Sequence, residues 1–228
     1  MTTAIMIPAR YGSTRYPGKP LTMLGDKPMI QRVAEACKAT GYDTYVLTDN
    51  KTIAQAAQAS GVGIYIDSHD YENGTERCAG AIASRKFDEY DSFINVQGDM
   101  PDVTSEMIEK CDWHLKNYSV TTVFTKMPKE RQNDPSSVKM IRAGDQSLWF
   151  GRGMTGYGDW HLGVYGYRKN ALQSYPHLHI EQEERIEKLE QLRWLKSGWQ
   201  IGCLAVQFNG IEINTPEDTE EWHQKNLT

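Results

Sequence analysis

Short apolar runs and helical stripes alternate through the first half of the chain. Thr3 to Pro8 is a compact apolar run that stops at a loop rich in Gly, Pro, Arg and Ser, the pattern of a buried strand feeding a site loop. Ile30, Val33, Ala34 and Cys37 then recur at i, i+3, i+4 and i+7, which predicts a helix with Gly41 as its C-terminal breaker. Tyr45 to Leu47 reads as the next strand. The alternation continues with a helix over Ile53 to Ala59, a strand over Val62 to Ile66, a helix after Gly74 and a strand from Phe93 to Val96. Thr104 can cap a helix that places Met107, Ile108, Cys111 and Leu115 on one face, and Val120 to Phe124 returns as a strand. Strand and helix units repeated in this order predict a mostly parallel central sheet covered by helices on both faces.

The pattern loosens between Met127 and Asp159, where Pro128, Pro135 and several glycines predict loops and a small antiparallel extension. Leu162 to Tyr167 reads as a strand. Glu181 to Leu195 reads as one charged helix with Ile186, Leu189 and Leu192 facing inward, and Ile201 to Phe208 as a further strand. Thr215, Pro216, Glu217 and Asp218 supply an N-cap, a proline at the first helical position and acids in the first turn of a last helix. There is no internal repeat or low-complexity tract, so residues 1–228 are expected to form one domain.

Composition narrows the function classes. With 39% hydrophobic and 24% charged residues, the 228-residue chain has ordinary globular composition. A net charge of -5 argues against a nucleic-acid binder, whose phosphate contacts demand a basic surface. No apolar run reaches the roughly 18 residues needed to cross a bilayer, and the N-terminus lacks a basic stretch followed by a long apolar one. The expectation is a cytoplasmic protein without membrane or nucleic-acid partners. Cys37, Cys78, Cys111 and Cys203 are scattered without a CxxC pair, which predicts buried free thiols.

Two segments carry candidate chemistry. In PARYGSTRYPGKP, Arg10, Arg15 and Lys19 lie among Gly12, Ser13 and Gly18 directly after the first strand. A glycine-containing basic loop at the carboxyl end of such a strand suits a polyphosphate, although neither GxxxxGK[ST] nor GxGxxG is present. In Asn95-Val96-Gln97-Gly98-Asp99, an acid ends a predicted buried strand beside a glycine. A carboxylate there suits Mg²⁺, a hard cation that bridges phosphate oxygens, so Lys19, Arg15 and the ion would together neutralise charge on a phosphoryl group.

These segments, with GTER at Gly74 to Arg77, HLGVYGYR at His161 to Arg168, LEQLR at Leu189 to Arg193 and NTPED at Asn214 to Asp218, resemble the 3-deoxy-D-manno-octulosonate (Kdo) cytidylyltransferases, the CMP-Kdo synthetases. The resemblance spans nearly the whole chain in the right order; the opening loop alone is shared with the wider sugar nucleotidyltransferases. It implies a Rossmann-like nucleotide-diphosphosugar transferase fold and a cytoplasmic homodimer, with acceptor-side and dimerisation elements within about 127–200. It also implies transfer of CMP from CTP to the anomeric hydroxyl of Kdo or a related acid sugar, releasing pyrophosphate, for lipopolysaccharide or surface glycan synthesis.

Carried over position by position, the resemblance puts Pro8, Ala9, Arg10, Ser13, Arg15 and Lys19 on the nucleotide, with Arg10, Arg15, Lys19 and Asp99 as the catalytic set. Gly74, Thr75, Arg77 and Gln97 would surround the cytidine. Arg152, His161, Tyr165, Glu190 and Gln191 would line the acceptor pocket, and Asp99 with Asn214 would hold Mg²⁺.

Several positions depart from the family pattern. Asn214 stands where the family has Asp, Met100 where it has an acid, Asn73 where it has Ser and Trp160 where it has Arg, and the segment between Arg152 and His161 is much shorter. The alternatives are therefore a cytidylyltransferase for another acidic acceptor (8-amino-Kdo, a sialic-acid-like sugar or a phosphonate) and a degenerate nucleotide-binding homologue.

Overall fold

In the computed structural model, residues 1–12 and 16–227 are described. The first half runs through β1 (Thr3–Ala9), the hairpin of β2 (Met23–Leu24) and β3 (Lys27–Pro28), α1 (Met29–Lys38), β4 (Asp43–Thr48), α2 (Lys51–Gln58), β5 (Gly63–Ile66), α3 (Gly74–Ile82) and β6 (Ser92–Val96). There follow α4 (Ser105–His114), β7 (Val120–Thr125), β8 (Lys139–Ala143), β9 (Gln146–Gly151), β10 (Asp159–Arg168) and α5 (Lys169–Ser174). The chain ends with α6 (Gln182–Glu187), α7 (Leu192–Lys196), β11 (Ile201–Ala205) and α8 (Pro216–Asn226).

β1 is buried along its whole length and pairs in parallel with β4 on one edge and β6 on the other. Its side chains alternate between two cores: Ile5, Ile7 and Ala9 enter the one filled by α1, α2 and α4, whereas Ala4 and Met6 enter the one filled by α3, α5 and α7. Such burial on both faces is why the run reads as continuously apolar. The helix starts follow local chemistry. Asn50 accepts from the backbone N–H groups of Thr52 and Ile53, Thr104 from Met107, and Thr215 and Asp218 form a reciprocal capping box. Asn73 caps α3 by accepting from the Glu76 N–H, so Asn does here what Ser does equally well.

The expected mostly parallel, Rossmann-like sheet with a small antiparallel extension is overturned. The large sheet runs β5-β4-β1-β6-β10-β7-β11-β9-β8, and β8 pairs back onto β10. Strands β10, β7, β11, β9 and β8 therefore close into a five-stranded barrel of mixed direction, flanked by the β5, β4, β1 and β6 strands and by helices. The cause is β10. Its C-terminal half runs antiparallel to β6, its N-terminal half reaches β8, and β7 lies along it with a register shift between Leu162 and Tyr165. That bulge bends the strand and turns an open edge into a closure. Strand direction and closure are non-local, so an alternation of apolar runs does not encode them.

The helix expected over Glu181 to Leu195 is also interrupted. Lys188 takes a left-handed conformation (φ 53°) that ends α6, and Ile186, expected to face inward, is 71% exposed. The turn between α6 and α7 carries Glu190 and Gln191. All four cysteines are buried free thiols. Among the described residues no helix is long and apolar enough to cross a membrane.

Candidate active site

Three chain segments meet where β1 and β6 end. The Lys19 ammonium, in a 3-10 turn after the opening loop, donates to Asp99 Oδ2 at 2.6 Å and to the Ile213 carbonyl at 3.1 Å. The Ile213 N–H donates in turn to the Asp99 carbonyl at 3.0 Å. The structure thus brings Lys19 and Asp99 into contact and sets Asn214 beside them. Close approach of the two strand exits depends on Gly98, where a Cβ would lie 3.0 Å from the Pro8 carbonyl oxygen. Arg10 is exposed at the end of β1, whose last residues are Pro8 and Ala9. Ser13 and Arg15 lie outside the described residues.

Arg77 is 4% exposed and pairs with Asp49 Oδ2 at 3.2 Å, its guanidinium lying over the Tyr71 ring. Asp49 Oδ1 also accepts from the Tyr11 N–H, so Arg77 reaches the opening loop through Asp49. Gly74 lies against Gln97 and Pro8: a Cβ there would come 2.9 Å from the Gln97 amide and 3.1 Å from the proline ring. Thr75 donates its backbone N–H to Glu190 Oε2 at 2.9 Å, and Gln97 donates Nε2 to Glu190 Oε1 at 3.0 Å. Burial raises the pKa of Glu190, opposed by its hydrogen bonds from Thr75. The nucleotide-side and acceptor-side residues of the sequence reading therefore share one wall.

On β10, His161 is 3% exposed and packs against Tyr165 with ring centroids 5.3 Å apart. Burial, with the positive charge of Arg152 nearby, pushes the imidazole pKa down to about 3, so it is neutral at working pH. Thr122 spends its hydroxyl hydrogen on the Val164 carbonyl, so it accepts from His161 Nε2 at 3.0 Å, which leaves Nδ1 as an acceptor. Arg152 is held by its backbone N–H to Glu187 Oε2 and its Nη1 to the Ser136 carbonyl. Gln191 is buried, and its Nε2 finds no partner among the described residues.

Glu212 escaped the sequence reading. In Ile211-Glu212-Ile213-Asn214 the isoleucines are buried and the polar residues half-buried, so extended alternation sets Glu212 and Asn214 on one side. That signal was available in the sequence. Burial pushes the Glu212 carboxyl up to about 7, reinforced by the negative charge of Asp99 and opposed by a hydrogen bond from the Gly163 N–H. A carboxyl pKa raised on folding stabilises the fold below its ordinary value near 4.5 and loses that contribution as pH rises through about 7. Glu212→Gln removes the loss. In the ligand-free protein we expect urea denaturation to find the variant more stable than wild type by about 3 kcal/mol at pH 8 and equal to it near pH 4.5. Identical differences at both pH values would contradict the burial of this carboxyl beside Asp99.

Asp99, Asn214 and Glu212 offer hard oxygen donors, the kind Mg²⁺ prefers. Asp218 is engaged by the N–H groups of Asn214 and Thr215 in the helix cap. Among the described residues no group of three or more His, Cys, Asp or Glu side chains is arranged to hold a metal. Asp99 and Asn214 could give such an ion one or two protein oxygens, the small number that Mg²⁺ commonly takes from protein.

A lysine–aspartate pair where two strand ends converge, with His161 and Tyr165 on the adjoining barrel strand and Glu190 and Glu212 close by, is an arrangement suited to handling a charged phosphate group. Comparison with known proteins gives the family: the cytidylyltransferase profile matches residues 4–201, and the chain belongs to that family, in its CMP-Kdo synthetase branch. It is 37% identical to an 8-amino-3,8-dideoxy-manno-octulosonate cytidylyltransferase of Shewanella halifaxensis (strain HAW-EB4), over 96% of each chain. A protein of the same name from Shewanella frigidimarina (strain NCIMB 400) is 38% identical, again over 96% of each. A solved CMP:2-keto-3-deoxy-manno-octonic acid synthetase complexed with CTP superimposes with a TM-score of 0.89 at 32% identity, covering 100% of this chain and 99% of that one. The chain is a CTP-dependent cytidylyltransferase.

Proposed function

We propose that the enzyme transfers CMP from CTP to the anomeric hydroxyl of 8-amino-3,8-dideoxy-manno-octulosonate, the acceptor named for the full-length relatives at 37% and 38% identity. The observation that carries this reading is the meeting of Lys19 with Asp99 and the Ile213 carbonyl, near Tyr165, which the carboxyl groups of Glu190 and Glu212 and the guanidinium of Arg152 all influence. Carboxyl groups so placed suit an acceptor bearing an ammonium, and the Arg152 guanidinium suits its carboxylate.

In the reaction the acceptor oxygen bonds to the α-phosphorus, the bond from that phosphorus to the bridging oxygen breaks, and the electron pair leaves on pyrophosphate. The hydroxyl proton goes to solvent. Lys19 and Arg10, with Ser13 and Arg15, hold the triphosphate, and Lys19 stabilises charge as it builds on the phosphoryl oxygens. Asp99 and Asn214, with Glu212 beside them, would hold Mg²⁺, which when bound neutralises phosphate charge. Neutral His161 takes a hydrogen bond from the acceptor at Nδ1. Leu148, Tyr157 and Ile186, exposed within 127–200, supply apolar surface for a homodimer, which light scattering would register as twice the 25.9 kDa chain mass.

The test is incubation with CTP, Mg²⁺ and either the 8-amino acid or Kdo, with CMP conjugates identified by mass and pyrophosphate release followed in time. The expected result is a higher kcat/KM for the amino sugar. Equal use of the two acids would return the reading to Kdo and its relatives as a group. CTP binding with no conjugate from either would favour a degenerate nucleotide-binding protein.

A further inference from the structure

Gln97 leaves β6 two residues before Asp99, and what its carboxamide presents to the pocket is decided by Glu190. A carboxylate only accepts hydrogen bonds. Glu190 Oε2 accepts from the Thr75 N–H at 2.9 Å, and Oε1 accepts from Gln97 Nε2 at 3.0 Å, so the amide nitrogen of Gln97 points at Glu190 and its carbonyl oxygen away. Glu190 is itself fixed, because the Tyr175 hydroxyl donates to its backbone carbonyl at 3.0 Å. Gln97 has little room to shift: a Cβ on Gly74 would come within 3.0 Å of both amide atoms, and one on Gly163 within 3.2 Å of Cγ. Among the described residues no donor is bonded to the Gln97 carbonyl oxygen, and the residue is half-buried.

We propose that Glu190 is a positioning residue that fixes the Gln97 amide with its oxygen toward the acceptor, so that the site demands a hydrogen-bond donor there, a hydroxyl or ammonium of the acid sugar. This rests on the acceptor reading above. Gln97 touches both sides of the site: its side chain lies against Gly74, and its backbone N–H donates to the carbonyl of Gly163, which stands on β10 between His161 and Tyr165. A glutamine without a carboxylate partner turns over at little cost and shows its NH₂ group instead, which opposes a donor hydroxyl.

The test exchanges the pair. Glu190→Gln is isosteric but can offer either a donor or an acceptor, so it no longer dictates the Gln97 orientation. Its acceptor KM should rise about tenfold, the worth of one such hydrogen bond, while the KM for CTP changes much less. Gln97→Glu alone sets two carboxylates face to face and should weaken acceptor binding further. In the double variant Gln97→Glu with Glu190→Gln, the new amide can accept from Thr75 and donate to the new carboxylate, whose second oxygen faces the pocket. Acceptor KM should return to within about threefold of wild type, as a restored hydrogen bond requires.

A second readout is independent of turnover. The side-chain NH₂ resonances of Gln97, identified by their loss in Gln97→Glu, should exchange with solvent at least about tenfold more slowly in wild type than in Glu190→Gln, because the hydrogen bond must open first. Equal exchange in the two proteins, or a double variant no better than the singles, would overturn the proposal. If wild type transfers CMP to neither acid, the functional reading fails, and the exchange measurement still decides whether Glu190 holds Gln97.

Discussion

Asp99→Ala should lower the rate of pyrophosphate release by roughly 10²- to 10³-fold or more at saturating CTP and acceptor, the usual cost of removing one charged clamp from a transferring phosphoryl group. Asp99 is the carboxylate at the end of β6, bonded to Lys19 at 2.6 Å and joined through its carbonyl to Ile213. Its removal takes away the lysine's charged partner and one oxygen donor suited to Mg²⁺. Asp99→Asn keeps the shape and loses the charge, so comparing the two variants separates positioning from electrostatics. The fold should survive both changes, because the Asp99 backbone bond to Ile213 remains. Circular dichroism would check this, and turnover within tenfold of wild type with the fold intact would refute the assignment.

Arg193→Met should lower the free energy of unfolding by about 3–5 kcal/mol, the cost of stripping a buried charge network of its cation. Arg193 is 1% exposed, binds Glu184 through Nε at 2.9 Å and Nη2 at 2.6 Å, reaches Glu76 through Nη1 at 2.8 Å, and lies over the Tyr175 ring. Without it, Glu184 and Glu76 face each other with no countercharge in the same packed region. Glu76 belongs to α3 and Glu184 to α6, so the guanidinium ties the segment bearing Thr75 to the one bearing Glu190. Adding Glu184→Leu should recover part of the loss, since it removes one stranded carboxylate. Urea denaturation would measure both variants, and a loss below about 1 kcal/mol, the range of exposed pairs, would mean the network is solvated.

The local parts of this fold were legible because their causes are local. The stripe of Ile30, Val33, Ala34 and Cys37 is the buried face of α1, and Thr215-Pro216-Glu217-Asp218 starts α8 through a capping box. The break at Lys188 was not legible, since a lysine carries no breaker signal; its left-handed conformation ends α6 just before Glu190 and Gln191. Barrel closure was hidden because the strand that causes it, β10, shows the same alternation whichever neighbours it takes. At the site, motif order led to Lys19 and Asp99, which the fold joins. Arg77 reaches the loop through Asp49, a partner 28 positions away that no motif links to it. Glu212 matches no motif of the resemblance, although it shares one side of the same extended segment with Asn214.

The bulge in β10 sets terms for how such enzymes diversify. Gly163 donates its N–H to Glu212 and lends its carbonyl to Gln97, so the bulge is stitched both to the segment before Asn214 and to the end of β6. Adding or deleting one residue on either side of it would rotate His161 or Tyr165 to the opposite face and unpick both stitches together. New acceptor preferences are therefore expected to arise by exchange of side chains and by trimming of the loop between Arg152 and Asp159, with the length of this strand held constant.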